Sequence, residues 1–193
     1  GKYDVYRTEV PSMQTTLTAT GIPDNNVMFT PDGRYMFYYK EVEAKQQSGP
    51  MHRYTSPDNR IPGDADRSYI MRYDTQSKVT MPITYGGAST QIMSFTPNAD
   101  KMLYCVTRQT PDRYPFYNFT LIEMDMATLA TDTVVNGMEA TLSNAIYSPD
   151  GRQLFIVAGP SAFDGIGAND APQPLGNAFD GHGYTYDIAP PPS

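Results

Sequence analysis

The sequence predicts an all-β fold, a partial β-propeller of about three four-stranded antiparallel blades plus the start of a fourth. Three observations carry that expectation. A Pro-containing turn motif recurs three times without a gap, an Asp-led turn recurs between its copies, and no segment of ten or more residues combines helical periodicity with a cap.

The first motif reads Phe29-Thr-Pro-Asp-Gly-Arg-Tyr-Met-Phe37, Phe95-Thr-Pro-Asn-Ala-Asp-Lys-Met-Leu103 and Tyr147-Ser-Pro-Asp-Gly-Arg-Gln-Leu-Phe155. Its chemistry is that of a tight hairpin: Pro presets φ, Asp or Asn bonds back to the backbone, and Gly accepts a positive φ. The middle copy departs at Asn98 and Ala99, which weakens its hairpin signature. Each turn leads into an apolar run, Met36–Tyr39, Met102–Val106 and Leu154–Ala158. Such short continuous runs are expected to be strands buried on both faces.

The second motif lies upstream of each turn. Tyr69-Ile-Met-Arg-Tyr-Asp74 and Leu121-Ile-Glu-Met-Asp125 carry a strand into an Asp-led turn, and Lys78–Thr84 and Asp132–Val135 return from it. The spacing to the next aromatic marker is nearly constant, 21 positions from Asp74 to Phe95 and 22 from Asp125 to Tyr147. Tyr3–Thr8 and Gln14–Thr18 supply the same pair in the first copy, and Tyr184-Thr-Tyr-Asp187 begins a fourth. One incomplete propeller domain over 1–193 is therefore expected, with repeats at about 3–42, 68–108 and 118–158, a fourth starting at 182–193, and insertions at 43–67 and 159–183. Four short strands per unit of 40 to 50 residues is the sequence form of a propeller blade.

The Phe-Thr-Pro-Asp-Gly and Tyr-Ser-Pro-Asp-Gly turns, each followed by an apolar strand, resemble the WD40-like (PD40) repeats of the TolB β-propeller group. The propeller domain of dipeptidyl peptidase IV-like serine peptidases shares that pattern. The resemblance covers Tyr3 to Val157 outside the long insertions. It implies a non-enzymatic, partner-binding propeller in a bacterial periplasm or outside the cell. As the alternative, it allows a non-catalytic propeller that gates substrate to a hydrolase domain outside this chain. A propeller closes with roughly four to eight blades, so a piece of a longer protein is expected, or a partial ring completed by another copy, because open strand edges invite pairing.

Composition excludes several partners. Fourteen Lys and Arg against 21 Asp and Glu give a net charge of −7, and no basic cluster is present to hold phosphates, so nucleic acid is not an expected partner. No run approaches the roughly 18 apolar residues of a membrane span, and a soluble chain is expected. The lone Cys105 follows Met102-Leu-Tyr104 in a strand and reads as a small hydrophobe. Asn118-Phe-Thr120 fits a glycosylation acceptor, which matters only in a eukaryotic secreted protein.

Candidate binding groups cluster in the insertions, which open on the same face as the connections Gly21–Asn26, Tyr85–Thr90 and Gly137–Leu142. Long loops on a rigid scaffold are where recognition groups lie. These loops hold His52, Arg53, Tyr54, Arg60, Arg113, Tyr114, Tyr117, Phe163, Phe179 and His182; a protein, peptide or glycan partner is expected there. The competing reading is that the insertions only cover an edge, leaving a structural scaffold. Ala162-Phe-Asp-Gly165 and Ala178-Phe-Asp-Gly181 bracket Asn169 and Asp170, and oxygen-rich loops of this kind can hold calcium. Their spacing matches no EF-hand register, and ordinary Asp-Gly turns are the favoured reading, so no cofactor is assigned. Catalysis is not expected: no Gly-x-Ser-x-Gly elbow exists, and His52 and His182 have no supporting Ser-Asp arrangement. Glu41-Val-Glu43 is the nearest approach to the adjacent pair of glutamates by which relatives of the peptidase propeller hold a substrate's amino terminus, and it does not match, because Val42 separates the two.

Overall fold

In a computed structural model, described for residues 1–43, 50, 66–109, 117–169 and 181–188, the chain divides into two compact units, Gly1–Gly87 and Ala88–Ser193. The first holds β1 (Tyr3–Glu9), β2 (Gln14–Ile22), β3 (Met28–Phe29), β4 (Tyr35–Val42), β5 (Arg67–Asp74) and β6 (Thr80–Pro82). The second holds β7 (Ser89–Phe95), β8 (Lys101–Gln109), β9 (Tyr117–Asp125), β10 (Thr131–Met138), β11 (Leu142–Tyr147), β12 (Gln153–Ala158), α1 (Ala162–Asn169) and β13 (His182–Asp187). The strands form four antiparallel sheets: β1-β2, β3-β4-β5-β6, β7-β8-β9-β10 and β11-β12-β13.

These sheets are offset by two strands from the sequence repeats. The strand after each Pro turn pairs on one side with the aromatic marker strand and on the other with the leading strand of the next repeat. Thus β4 meets β5 along a ladder from Tyr35↔Asp74 to Val42↔Arg67, and β8 meets β9 from Lys101↔Asp125 to Gln109↔Tyr117. The long insertions are therefore hairpin connections within a sheet, and the short segments between β2 and β3, β6 and β7, and β10 and β11 link one sheet to the next.

The Pro turns form as the residues dictate. Gly33, Ala99 and Gly151 donate their N–H groups to the Thr30, Thr96 and Ser148 carbonyls at 2.8, 2.9 and 2.9 Å. All three take a left-handed φ, of 70, 61 and 71°. In the outer copies the Thr30 and Ser148 hydroxyls donate to Asp32 and Asp150. The middle copy keeps the geometry despite Asn98 and Ala99, because Asp100 supplies the acceptor: Thr96 Oγ1 donates to it at 2.6 Å and Asn98 Nδ2 at 3.0 Å. The second motif is equally uniform. Lys78 and Leu129 donate to the Asp74 and Asp125 carbonyls with φ of 62 and 61°, and Met13 closes the same loop on Glu9 with φ 55°.

Of the apolar runs, Met36, Phe37 and Tyr38 and then Met102 to Cys105 are buried on both faces. The third alternates instead. Leu154, Ile156 and Ala158 are buried, whereas Phe155 is 46% exposed, because only one face of the β11–β13 sheet enters the second unit's core. That core joins Leu103, Cys105, Phe119, Leu121 and Val135 from one sheet to Ala145, Leu154, Ile156 and Ala158 from the other. In the first unit Ala19 and Ile22 of β2 pack with Met36, Tyr38 and Tyr73. Cys105 is buried within β8, and desolvation raises its thiol pKa. The one helical element among the described residues, α1, falls inside the last insertion; Phe163, Asp164 and Gly165 carry left-handed φ of 52, 59 and 74°, so the Asp-Gly pair makes a turn there. Among the described residues no helix is long and apolar enough to cross a membrane.

Candidate partner-binding face

In the first unit, the end of the β3–β6 sheet nearest the β2–β3 connection is shaped by Asp24. Pro23 fixes the chain's direction as it leaves β2, and the Asp24 carboxylate then accepts from Asn26 N–H at 2.9 Å and from Tyr39 N–H at 3.1 Å. These two bonds clip the connection to β4, an Asx arrangement that short polar side chains favour. Beside the clip lies an open groove of about 690 Å³ lined by Pro23, Asp24, Asn26, Tyr38, Tyr39, Lys40, Glu41 and Met71. At the same end Arg67 Nε donates to the Gly87 carbonyl at 2.8 Å and the Tyr69 hydroxyl donates to the Gly86 carbonyl. The 85–87 segment is thus tied down, with Tyr85 84% exposed on it.

In the second unit the equivalent end is filled by side chains. Phe163 is half-buried, with ring centroids 5.1 Å from Tyr184 and 6.0 Å from Tyr186, and its N–H points at Met138 Sδ, 3.2 Å away. Ser161 Oγ donates to the Glu139 carbonyl at 3.1 Å, Gly159 N–H to the Thr141 carbonyl at 2.8 Å, and Tyr184 Oη to the Gly159 carbonyl at 3.0 Å. These contacts fasten the start of the last insertion to the connection between β10 and β11. His182 opens β13 opposite Ala158, its ring 6.5 Å from that of Tyr184.

Of the residues singled out in the sequence, Phe163 therefore sits in the packing of this corner and Tyr117 begins β9 opposite Gln109. His52, Arg53, Tyr54, Arg60, Arg113, Tyr114 and Phe179 lie outside the described residues, as do Asp170 and Asp180 of the oxygen-rich loop. Among the described residues no three His, Cys, Asp or Glu side chains converge as metal ligands would. The sequence reading missed the Asp24 clip and the groove beside it. A signal was present in Pro23-Asp24-Asn25-Asn26, whose residue types announce backbone capping.

Away from this end, the second unit carries a polar cluster that joins its two sheets. Glu123 on β9 is 9% exposed. Its carboxylate accepts from Lys101 Nζ at 2.6 Å and from the Tyr147 hydroxyl, on β11, at 2.8 Å. Burial, reinforced by the Glu123 carboxylate, pushes the Tyr147 phenol far above its ordinary range, and the same carboxylate raises the Lys101 ammonium. Lys101, Glu123 and Tyr147 thus form one hydrogen-bonded network across the two sheets.

No family model and no curated protein matches this chain in sequence. Solved structures do match in fold. An acylaminoacyl peptidase of Pyrococcus horikoshii superposes with TM-score 0.54 at 11% identity, over 83% of this chain and 25% of that one. TolB of Acinetobacter baumannii gives 0.50 at 14%, over 83% and 33%. An oligogalacturonate lyase of Vibrio parahaemolyticus gives 0.50 at 15%, over 79% and 38%. This chain thus spans between a quarter and two fifths of the length of these three proteins. Three proteins of different names share these sheets at such identities, so the likeness establishes the fold alone. That fold is a partial β-propeller, similar to the propellers of TolB and of the peptidases, as the three recurrent Pro turns predict.

Proposed function

We propose that the chain is a non-enzymatic segment of a TolB-like β-propeller, one incomplete domain over 1–193, that binds a partner through its insertion-bearing face in a bacterial periplasm or outside the cell. The observation that carries this reading is the groove beside the Asp24 clip. It is lined by Asp24, Tyr38, Tyr39, Lys40, Glu41 and Met71, a mix of aromatic, charged and apolar residues, at the end of the sheet where the longest insertion leaves β4. Its volume lies in the range of roughly 300–1,000 Å³ that suits a small ligand. A peptide segment or short glycan therefore fits better than the flat contact of a folded domain. Arg53, Tyr54, Arg60 and Tyr114 of the insertions are further candidate partner-binding groups by their residue types alone.

The test is a screen of peptide and oligosaccharide libraries on the immobilised chain, repeated with Tyr39→Ala, Lys40→Ala and a triple Arg53→Ala, Tyr54→Ala, Tyr114→Ala variant. At least a tenfold loss of affinity in the groove variants supports the reading. Binding that ignores all of them removes it and leaves a structural scaffold. A second reading, the non-catalytic propeller of a dipeptidyl peptidase IV-like serine peptidase, is favoured by the likeness to the Pyrococcus acylaminoacyl peptidase. A downstream Gly-x-Ser-x-Gly with later Asp and His in the parent reading frame would decide for it.

A further inference from the structure

The face of the β11–β13 sheet that turns away from the second unit's core carries an apolar patch beside the exposed Gln153–Asp187 hydrogen bond. Ile146 and Phe155 stand opposite each other across β11 and β12 and are 41% and 46% exposed. Beside them β13 offers glycine. A Cβ at Gly183 would meet the Phe155 ring at 3.0 Å, and one at Gly181 would meet Val157 Cγ1 at 3.2 Å. The two glycines thus let Phe155 and Val157 lean across β13.

The internal repeat shows what such a face does. Phe155 follows Tyr147 at the distance at which Leu103 follows Phe95 and Phe37 follows Phe29, and both Leu103 and Phe37 are fully buried. Leu103 is covered by the next sheet, through Ala145, Leu154 and Ile156. Phe155 holds the same place and remains open.

The opposing half of that contact is also present on this chain. Tyr184 stands three residues before Asp187 and packs on the preceding sheet. Tyr6 stands three residues before Glu9, whose loop closes as the Asp74 and Asp125 loops do. Tyr6 and its cross-strand partner Leu17 are 58% and 51% exposed. Val5, Ala19 and Ile22 point the other way, into the first unit's core.

From this we infer that the two open faces are the two sides of one sheet-stacking interface closed between copies. The Ile146–Phe155 face of one copy packs on the Tyr6–Leu17 face of a second copy, as Leu103 packs beneath Ala145 and Ile156 within one copy. The surfaces differ, so the contact is heterologous: each copy offers one of each. This interface is distinct from the groove and does not depend on its ligand.

The test is the mass of the full chain in solution across a concentration series, by sedimentation or light scattering. Concentration-dependent association is expected. Phe155→Asp and Tyr6→Asp should each weaken it at least about tenfold, because each would bury an unpaired carboxylate in an apolar contact. A 1:1 mixture of the two variants keeps one intact pair of faces and should restore a dimer and nothing larger. That recovery would also show that both variants are folded; Phe155→Ser serves as a second, milder variant. A chain that stays monomeric at the highest concentration overturns the inference and assigns the face to a further sheet of the same polypeptide. Association that survives both aspartates overturns it too.

Discussion

The Glu123 cluster offers a test of which polar contact holds the second unit's sheets together. Its two arms differ in setting. Lys101 Nζ approaches at 2.6 Å, but its side chain is 43% exposed, and an ion pair so open to water contributes only about 0–1 kcal/mol. The Tyr147 hydroxyl bonds the same carboxylate at 2.8 Å from a half-buried position, and a hydrogen bond to a charged group contributes about 1.5–3 kcal/mol. The longer bond is therefore the stronger contributor. Tyr147→Phe should lower unfolding free energy by about 2 kcal/mol and Tm by about 4–8 °C for a chain of this size. Lys101→Met should cost under about 1 kcal/mol. A double-mutant cycle of Tyr147→Phe with Glu123→Gln, measured by urea unfolding, should give a coupling of about 1.5–3 kcal/mol. High pH supplies an independent reading. The folded-state pKa of Tyr147 lies above its ordinary value of 10.0 and that of Lys101 above 10.5. Their stabilisation is thus complete below pH 10 and is lost as pH rises beyond it, so alkali should destabilise the wild type more than Tyr147→Phe. A Lys101→Met loss equal to that of Tyr147→Phe, or a coupling below about 0.5 kcal/mol, would refute the ranking.

Gly151→Ala meets open space, with φ at 71°. Left-handed strain of about 1–2 kcal/mol, offset by about 0.4–1 kcal/mol of unfolded-chain entropy, should leave a net loss near 1 kcal/mol; a neutral result in urea unfolding would remove the backbone explanation. Ser94 Oγ is buried at a bulge of β7 with no hydrogen-bond partner among the described residues, so Ser94→Ala should raise stability by about 1 kcal/mol, and a loss would mean the hydroxyl is satisfied. Asp32 and Asp150 are held below the ordinary carboxylate range chiefly by the Thr30 and Ser148 hydroxyls, Asp74 and Asp125 by the Gln76 and Thr128 N–H groups. Their stabilisation is present above the ordinary pKa of 3.8 and fades as pH falls through the lower folded values. A variant with all four changed to Asn should therefore lose less stability on acidification than the wild type, as urea midpoints at neutral and acid pH would report.

The parts of the fold legible in the sequence are those encoded in short, local chemistry. Thr30-Pro-Asp-Gly33 and Ser148-Pro-Asp-Gly151 specify their own backbone and their own hydroxyl-to-carboxylate bond, so the turns could be placed before any coordinate was known. The middle turn tested that reasoning. Asn98 and Ala99 break the residue pattern, yet Asp100 restores the acceptor from two positions on, and a buried Ala99 tolerates φ 61°. Local rules describe a geometry that more than one residue set can satisfy. What the sequence did not reveal was decided over distance. Whether β5 completes the sheet of β4 or starts the next is set by the ladder from Tyr35↔Asp74 to Val42↔Arg67 across the insertion, and a repeat counted along the chain has no preferred phase. The Asp24 clip depends on Tyr39, fifteen residues away, and the Tyr147–Glu123 bond spans two sheets.

The same limit explains Phe155. Leu154–Ala158 reads as doubly buried because its composition matches the runs at Met36 and Met102, and composition records what a strand is suited to rather than what covers it. Phe155 is suited to burial and is half open; Tyr6 is suited to burial and is more than half open. A chain under selection only as an isolated piece would gain by replacing both with polar residues, since exposed aromatic faces promote association. Their presence at repeat positions that are covered elsewhere in this chain is the physical reason to look for what covers them.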